Sequence, residues 1–264
     1  MQDSTPMMHF IDAEHPTPSI LLSNPMLNFF SDALEEAADE WLIKPMFHYR
    51  WNYEADRREA SLRIATASVD PGTDPSKFAE MIGAHLMTRR EPLGCSDANV
   101  ELLERYLQEG ATRLNTHLQT RPFLFGDQLS AADLGLGSLY YELYSDPTPS
   151  TRLRPFSELS AWAQRCMNPE GLGTGKRESW DSLSATLRPV LEHELSAHYL
   201  PWARANAAAL ASGDGTPFTV NLGGTDFTQP AQKYPAKSWR MLQEKWAGLA
   251  PDTQASIRGV IGEV

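Results

Sequence analysis

Apolar residues recur along most of this chain at three-to-four-residue spacing, which predicts a succession of amphipathic helices rather than strands. From Pro25 onward, Leu27, Phe29, Phe30, Leu34, Ala37, Ala38, Trp41 and Leu42 keep that spacing, with the proline in a first turn where its missing N–H costs nothing. Pro45 is expected to kink or end this helix ahead of Phe47-His48-Tyr49-Arg50-Trp51. Further helices are expected from Ala55 to Ala67, stopped by Asp70-Pro71-Gly72, and from Pro75 to Arg90, stopped by Glu91-Pro92-Leu93-Gly94. Between Asp97 and Gln119 the positions Val100, Leu103, Leu107, Ala111, Leu114 and Leu118 follow the 3.6-residue helical period closely.

A compact loop from Arg121 then feeds a helix spanning Ala131 to Tyr144. Ser130 and Asp133 fit a capping box: the serine oxygen accepts the N–H three residues on, and the carboxylate returns to the serine N–H. Leu129 and Leu134 occupy the flanking staple positions. Helices are expected at Pro155–Cys166 and, after the glycine-rich stretch Gly171 to Gly175, at Leu183–Ala211. Residues 1–24 are proline-punctuated with one short helical stretch, Met7–Asp12. After Ala211, Pro217 to Thr228 reads as two extended pieces around Gly223-Gly224, and helices at Pro235–Leu249 and Pro251–Gly262 close the chain. The pattern predicts an all-α fold divided at 1–24, 25–211 and 212–264, the last a C-terminal extension with a small hairpin.

Composition narrows the chemistry. With 41% apolar and 22% charged residues, the 264-residue chain can bury a core and is not a disordered tract. A formal charge of −11 disfavours nucleic-acid backbones and anionic membranes, leaving small molecules or proteins as partners. Cys95 and Cys166 stand far apart with no CxxC, which argues against zinc ribbons, iron–sulfur clusters and disulfide scaffolds and suggests a reducing compartment. The first residues lack a basic segment followed by a continuous apolar run, so no secretory signal is expected and cytoplasmic residence is the default.

His193-Glu194-Leu-Ser-Ala-His198 resembles the metalloprotease pattern but has its histidines at i and i+5; on an α-helix that is roughly 500° of rotation, so the rings are expected to diverge and no metal is expected. Gly171, Gly173, Gly175 and Lys176 lack the hydroxyl residue and preceding strand of a phosphate loop, because Arg177 follows the lysine. Gly135-Leu-Gly137-Ser138 is in the wrong order for a hydrolase elbow. Both cysteines read as structural thiols. Trp41, Phe47, His48 and Arg50 group on or just after the first long helix. They fit either core packing or the apolar wall and polar rim of a small-molecule pocket, and Arg50 is the member packing explains least.

Arg121-Pro-Phe-Leu-Phe-Gly-Asp-Gln-Leu-Ser130-Ala-Ala-Asp133 resembles the folding motif of the glutathione transferase superfamily, in the all-α C-terminal domain of that family. Pro155 to Cys166, with Leu159, Trp162 and Arg165, resembles the helix that follows it. Gln2-Asp3-Ser4-Thr5 and the short helix after it are similar to the acid–serine motif and last helix of the family's thioredoxin-like N-terminal domain. The likeness covers nearly all of residues 1–200. It implies that residues 1–24 are the end of a thioredoxin-like domain with its linker and that 25–211 form a transferase-like helical bundle.

On that resemblance Asp3 and Ser4 bind the γ-glutamyl end of glutathione, the co-substrate. Trp41, Phe47, His48 and Arg50 are candidates for the electrophile side, Ser130 and Asp133 are structural, and no metal is implied. The chain begins beyond the position of the family's thiol-activating residue, so the implied activity divides. One expectation is a glutathione-dependent transferase, truncated or degenerate, acting on a small soluble electrophile. The alternative is a non-catalytic all-α binding or dimerisation module. A homodimer is expected, with an exposed apolar patch around residues 5–50.

Overall fold

The computed structural model describes residues 4–168, 175–213 and 215–264. Helices dominate them, and their only strands form one two-stranded antiparallel hairpin, as the all-α expectation requires. Helix α1 spans Ser4–Glu14, longer than the stretch the sequence marks. Helix α2, Pro25–Ala37, opens where the Asn24 side chain accepts the N–H groups of Met26 and Leu27.

Pro45 does not end the first long helix. A π-helical segment at Ala38–Leu42 leads directly into α3, Ile43–Asn52, so the helix carries on through the proline. A wider π turn moves aside the preceding carbonyls that the proline ring would strike, and the path continues unbroken. The chain turns at Tyr53, where the backbone is extended, and α4, Glu54–Ser68, pairs with α5, Ser76–Met87, as a helical hairpin. Helix α6 spans Val100–His117, bracketed by short tight turns.

Helix α7, Ala131–Tyr144, is followed by α8, Pro147–Leu153, which the sequence reading does not mark, and α9, Ser157–Cys166. Helix α10 starts at Trp180, ahead of the expected Leu183, and runs to Leu191. A second π-helical segment, Glu192–Tyr199, precedes Pro201 in α11, Leu200–Ser212, repeating the arrangement seen before Pro45. Strands β1, Phe218–Leu222, and β2, Thr225–Gln229, pair from Phe218↔Gln229 to Leu222↔Thr225. Their turn, Gly223-Gly224, takes φ of +55° and +85°, the left-handed pair that a two-residue hairpin needs. Helices α12, Lys233–Ala247, and α13, Pro251–Ile261, complete the fold.

The middle of the bundle is α7, packed between α2 and α9. Its Gly135 and Gly137, unfavourable for a helix interior, have a packing reason. A Cβ on Gly135 would lie 3.1 Å from Glu35 Cα, and one on Gly137 would lie 2.7 Å from Cys166 Cβ. Residues after 212 share the same core: Leu222, Phe227, Trp239, Leu242 and Ile257 are buried in it. Helices α12 and α13 cover a second side of α2, where Asp32 pairs with Lys245 at 3.1 Å and Glu36 is buried nearby, while Ser31 and Glu35 are buried against α7 and α1. The apolar exposure expected across residues 5–50 is therefore confined to α1, at Met7, Phe10 and Ile11, while Leu27, Phe29, Phe30 and Leu34 are covered.

Candidate functional site

The capping box forms as the sequence predicts. Ser130 Oγ accepts the Asp133 N–H at 3.3 Å, and Asp133 Oδ2 accepts the Ser130 N–H at 2.9 Å and its hydroxyl at 2.6 Å. The other carboxylate oxygen accepts the Leu124 N–H at 2.9 Å and the Trp162 indole N–H at 2.8 Å. Arg165, one turn beyond that tryptophan, donates to the Pro122 carbonyl. Burial pushes the Asp133 carboxyl up from its ordinary range, opposed by the donors around it. The cluster is closed to solvent and its role is structural.

The electrophile-side candidates do not converge. Phe47 is half-buried against Trp51, while His48 is fully buried and holds Glu104 through Nε2 at 3.1 Å. Tyr53 donates a short hydrogen bond to the same Glu104 oxygen, and the Tyr49 ring stacks on Tyr53. Burial lowers the His48 pKa despite the hydrogen bond to Glu104. A neutral His48 donating its Nε2–H leaves Nδ1 as an acceptor with no partner, which is how it stands. Burial raises the Tyr53 hydroxyl to about 12, and the Glu104 bond adds to this. Arg50 is accounted for by ion pairing: Nε meets Asp146 and Nη1 meets Glu142, each at 2.6 Å, and Arg63 takes the second Asp146 oxygen at 2.6 Å.

Trp41 faces elsewhere, into the centre of the bundle. Its ring packs against Tyr106, Trp202, Phe227 and His198, with centroid separations from 5.1 to 6.0 Å. The expected divergence of His193 and His198 is overturned: their centroids are 4.7 Å apart, and His198 Nδ1 bonds the His193 carbonyl at 2.7 Å. The cause is the π-helical segment. With i→i+5 bonding, a turn takes more than four residues, so positions five apart return to nearly one face. Glu194 accepts a short hydrogen bond from Tyr106, and burial still raises its carboxyl to about 7. Burial, followed by the nearby His198, drives His193 down to about 3. No group of three or more His, Cys, Asp or Glu side chains among the described residues is arranged to hold a metal ion.

Of the proposed glutathione-binding pair, Asp3 lies outside the described residues, and Ser4 is described only as the first residue of α1. The next residue, Thr5, donates to both Glu35 oxygens at 3.0 and 3.2 Å, which fixes the start of α1 against α2. Burial, reinforced by neighbouring carboxylates, raises Glu35 and Glu36 to about 8 each. Of the stretch Gly171 to Gly175, only the last glycine is described; a Cβ there would lie 2.3 Å from Asp127 Cβ, so it closes against the loop before α7. Both cysteines are buried thiols, and burial raises Cys95 to about 11 and Cys166 further.

Sequence reasoning missed Glu104, Tyr53 and Tyr106, and it named Glu194 only within the discounted metalloprotease pattern. All but Tyr53 lie on helices where polar residues are ordinarily assigned to solvent, and only the prolines at 45 and 201 hinted at irregular turns beside them. Among the described residues no helix is long and apolar enough to cross a membrane. Searches against protein-family models, curated proteins and solved structures find no match to this chain.

Proposed function

We propose that this chain is a glutathione transferase-like protein. In this reading residues 25–211 correspond to the family's helical domain, and residues 1–24 to the end of its thioredoxin-like domain. Glutathione is the co-substrate, held at its γ-glutamyl end by Asp3 and Ser4, and the acceptor is a small soluble electrophile. One observation carries the reading. The pieces by which the sequence resembles the family, the Pro122–Gly126 loop, the Ser130–Asp133 helix start and the Trp162–Arg165 helix, are fastened together by the Asp133 carboxylate and the Arg165 guanidinium.

On the electrophile side, Tyr53 and Glu104 are the half-buried members of the His48–Glu104–Tyr53 chain, and Tyr53 is the group that would meet an acceptor. Its hydroxyl, held above the usual range, stays protonated at neutral pH and is not a base, and it would meet the acceptor as a donor by turning from Glu104. His48 would act from behind it, as packing and orientation, while Trp41 packs the centre of the bundle away from it. Conjugation of glutathione to 1-chloro-2,4-dinitrobenzene tests the activity, and loss of turnover in Tyr53→Phe tests the assignment.

The alternative, a non-catalytic all-α binding or dimerisation module, is favoured by a separate observation. Trp41 and His48 are wholly buried and Arg50 is committed to Asp146 and Glu142, while Met7, Phe10 and Ile11 are exposed on one short helix. Sedimentation of the wild-type chain and of Phe10→Glu decides whether that helix forms a homodimer contact.

A further inference from the structure

The hairpin of α4 and α5 encloses a groove of about 570 Å³, within the range of small-molecule sites. Along its α4 side Glu54, Arg57, Arg58 and Ser61 follow one another at three-to-four-residue spacing, and Glu80 and Gly83 face them from α5. Arg57 Nη1 is held by neutral acceptors, the Trp51 carbonyl at 3.2 Å and Met87 Sδ at 3.4 Å, so its charge is positioned and left uncompensated.

The side chains of Glu54, Arg58 and Glu80 make no hydrogen bond or ion pair with another described residue. Exposed helix pairs between such residues are weak, so these charges are available to a ligand. Ser61 is 95% buried, since 5% of its surface is exposed, and its hydroxyl has no partner. It sits in a notch that only glycine leaves, because a Cβ on Gly83 would lie 2.9 Å from Ser61 Oγ. Leu62, Ala79 and Ala84 supply apolar wall between the charges.

We infer that this groove binds a short zwitterionic peptide of two or three residues, its carboxylate toward Arg57 and Arg58 and its ammonium toward Glu54 and Glu80. A simple anion would meet two carboxylates as well as the arginines, and a simple cation the reverse. Only a ligand carrying both charges satisfies the lining, and the guanidinium forks suit a carboxylate. The inference stands independently of the glutathione transferase reading, since it uses neither Asp3 and Ser4 nor the residues beside Tyr53.

Titration with triglycine, followed by backbone amide NMR shifts, tests it. Saturable shifts are expected at residues 54–62 and 76–84, with a dissociation constant near 1 mM, on the order expected for a few exposed charge contacts. N-acetyl-triglycine and triglycine amide should each bind at least about tenfold more weakly, as should Arg58→Gln and Glu80→Gln with triglycine. Arg58 and Glu80 are exposed, so neither variant should shift the unfolding midpoint. Absence of saturable shifts, equal binding of the capped peptides, or unchanged affinity in both variants would each overturn the proposal.

Discussion

The indole N–H of Trp162 and the main-chain N–H of Leu124 converge on a single oxygen of Asp133, at 2.8 and 2.9 Å. The other oxygen serves Ser130, so one carboxylate joins a loop, a helix start and a neighbouring helix. Asp133→Ala strands all of these donors in a closed interior and should destabilise the protein by roughly 3–5 kcal/mol. Trp162→Phe removes one donor and leaves the cap, and should cost roughly 1–2 kcal/mol. Urea unfolding of the two variants checks the ranking, and equal small losses would show that the carboxylate does not organise this region.

Meeting of His193 and His198 on one face depends on the π-helical segment, and their burial keeps His193 uncharged. In its NMR pH titration the His193 ring should show no protonation step between pH 8 and pH 5, its pKa lying near 3. A step near pH 6.5, the ordinary histidine range, would mean that the ring is solvated and that the segment is a regular α-helix turning it outward.

Stability should fall as pH rises from 6.5 to 8. Glu35, Glu36 and Glu194 titrate near 8, 8 and 7 in the fold against 4.5 when unfolded, so across that window the folded state holds more protons. Their contribution is complete below pH 4.5 and fades toward pH 8. His117 and His193, lowered to about 4 and 3, act in the opposite sense, and their contribution is lost as pH drops below 6.5. Thermal melts should therefore show a loss of roughly 2–3 kcal/mol per pH unit above 6.5, and Glu36→Gln should lessen that slope by about a third.

Arg50 spans two carboxylates with one planar group, a geometry that lysine cannot reproduce. Arg50→Lys keeps the charge, yet should lose about 1–3 kcal/mol, because the buried Asp146 then relies on Arg63. Retention of full stability in a denaturant titration would show that charge alone suffices there.

Much of the helical skeleton was legible in the sequence because it rests on local signals. Leu103, Leu107, Ala111 and Leu114 mark the buried face of α6, Ser130 and Asp133 mark the start of α7, and Gly223-Gly224 marks the hairpin turn. What escaped the sequence is non-local. Glu35 looks like a solvent-facing position until α1 and α7 close on it, and Asp32 and Glu36 do until α12 returns along α2. The π-helical segments escaped because the 3.6-residue period was carried to Leu42, ahead of Pro45, and through Pro201, where the turn widens. Trp41, Phe47, His48 and Arg50 are close in sequence, but successive helical positions point in different directions: Phe47 meets Trp51 on its own helix, while the others find partners on α6, at the α7–α8 junction and on α11.

Calorimetric titration of glutathione into the chain with Ser4 intact and into Ser4→Ala tests the glutathione transferase reading most directly. With Arg58→Gln and Glu80→Gln present throughout, so that the groove between α4 and α5 takes up no tripeptide, the account predicts saturable binding of millimolar affinity or tighter, weakened at least about tenfold by Ser4→Ala, with Tyr53→Phe leaving the affinity unchanged. An absence of glutathione binding by the folded chain with Ser4 intact, or equal binding by Ser4→Ala, would contradict it.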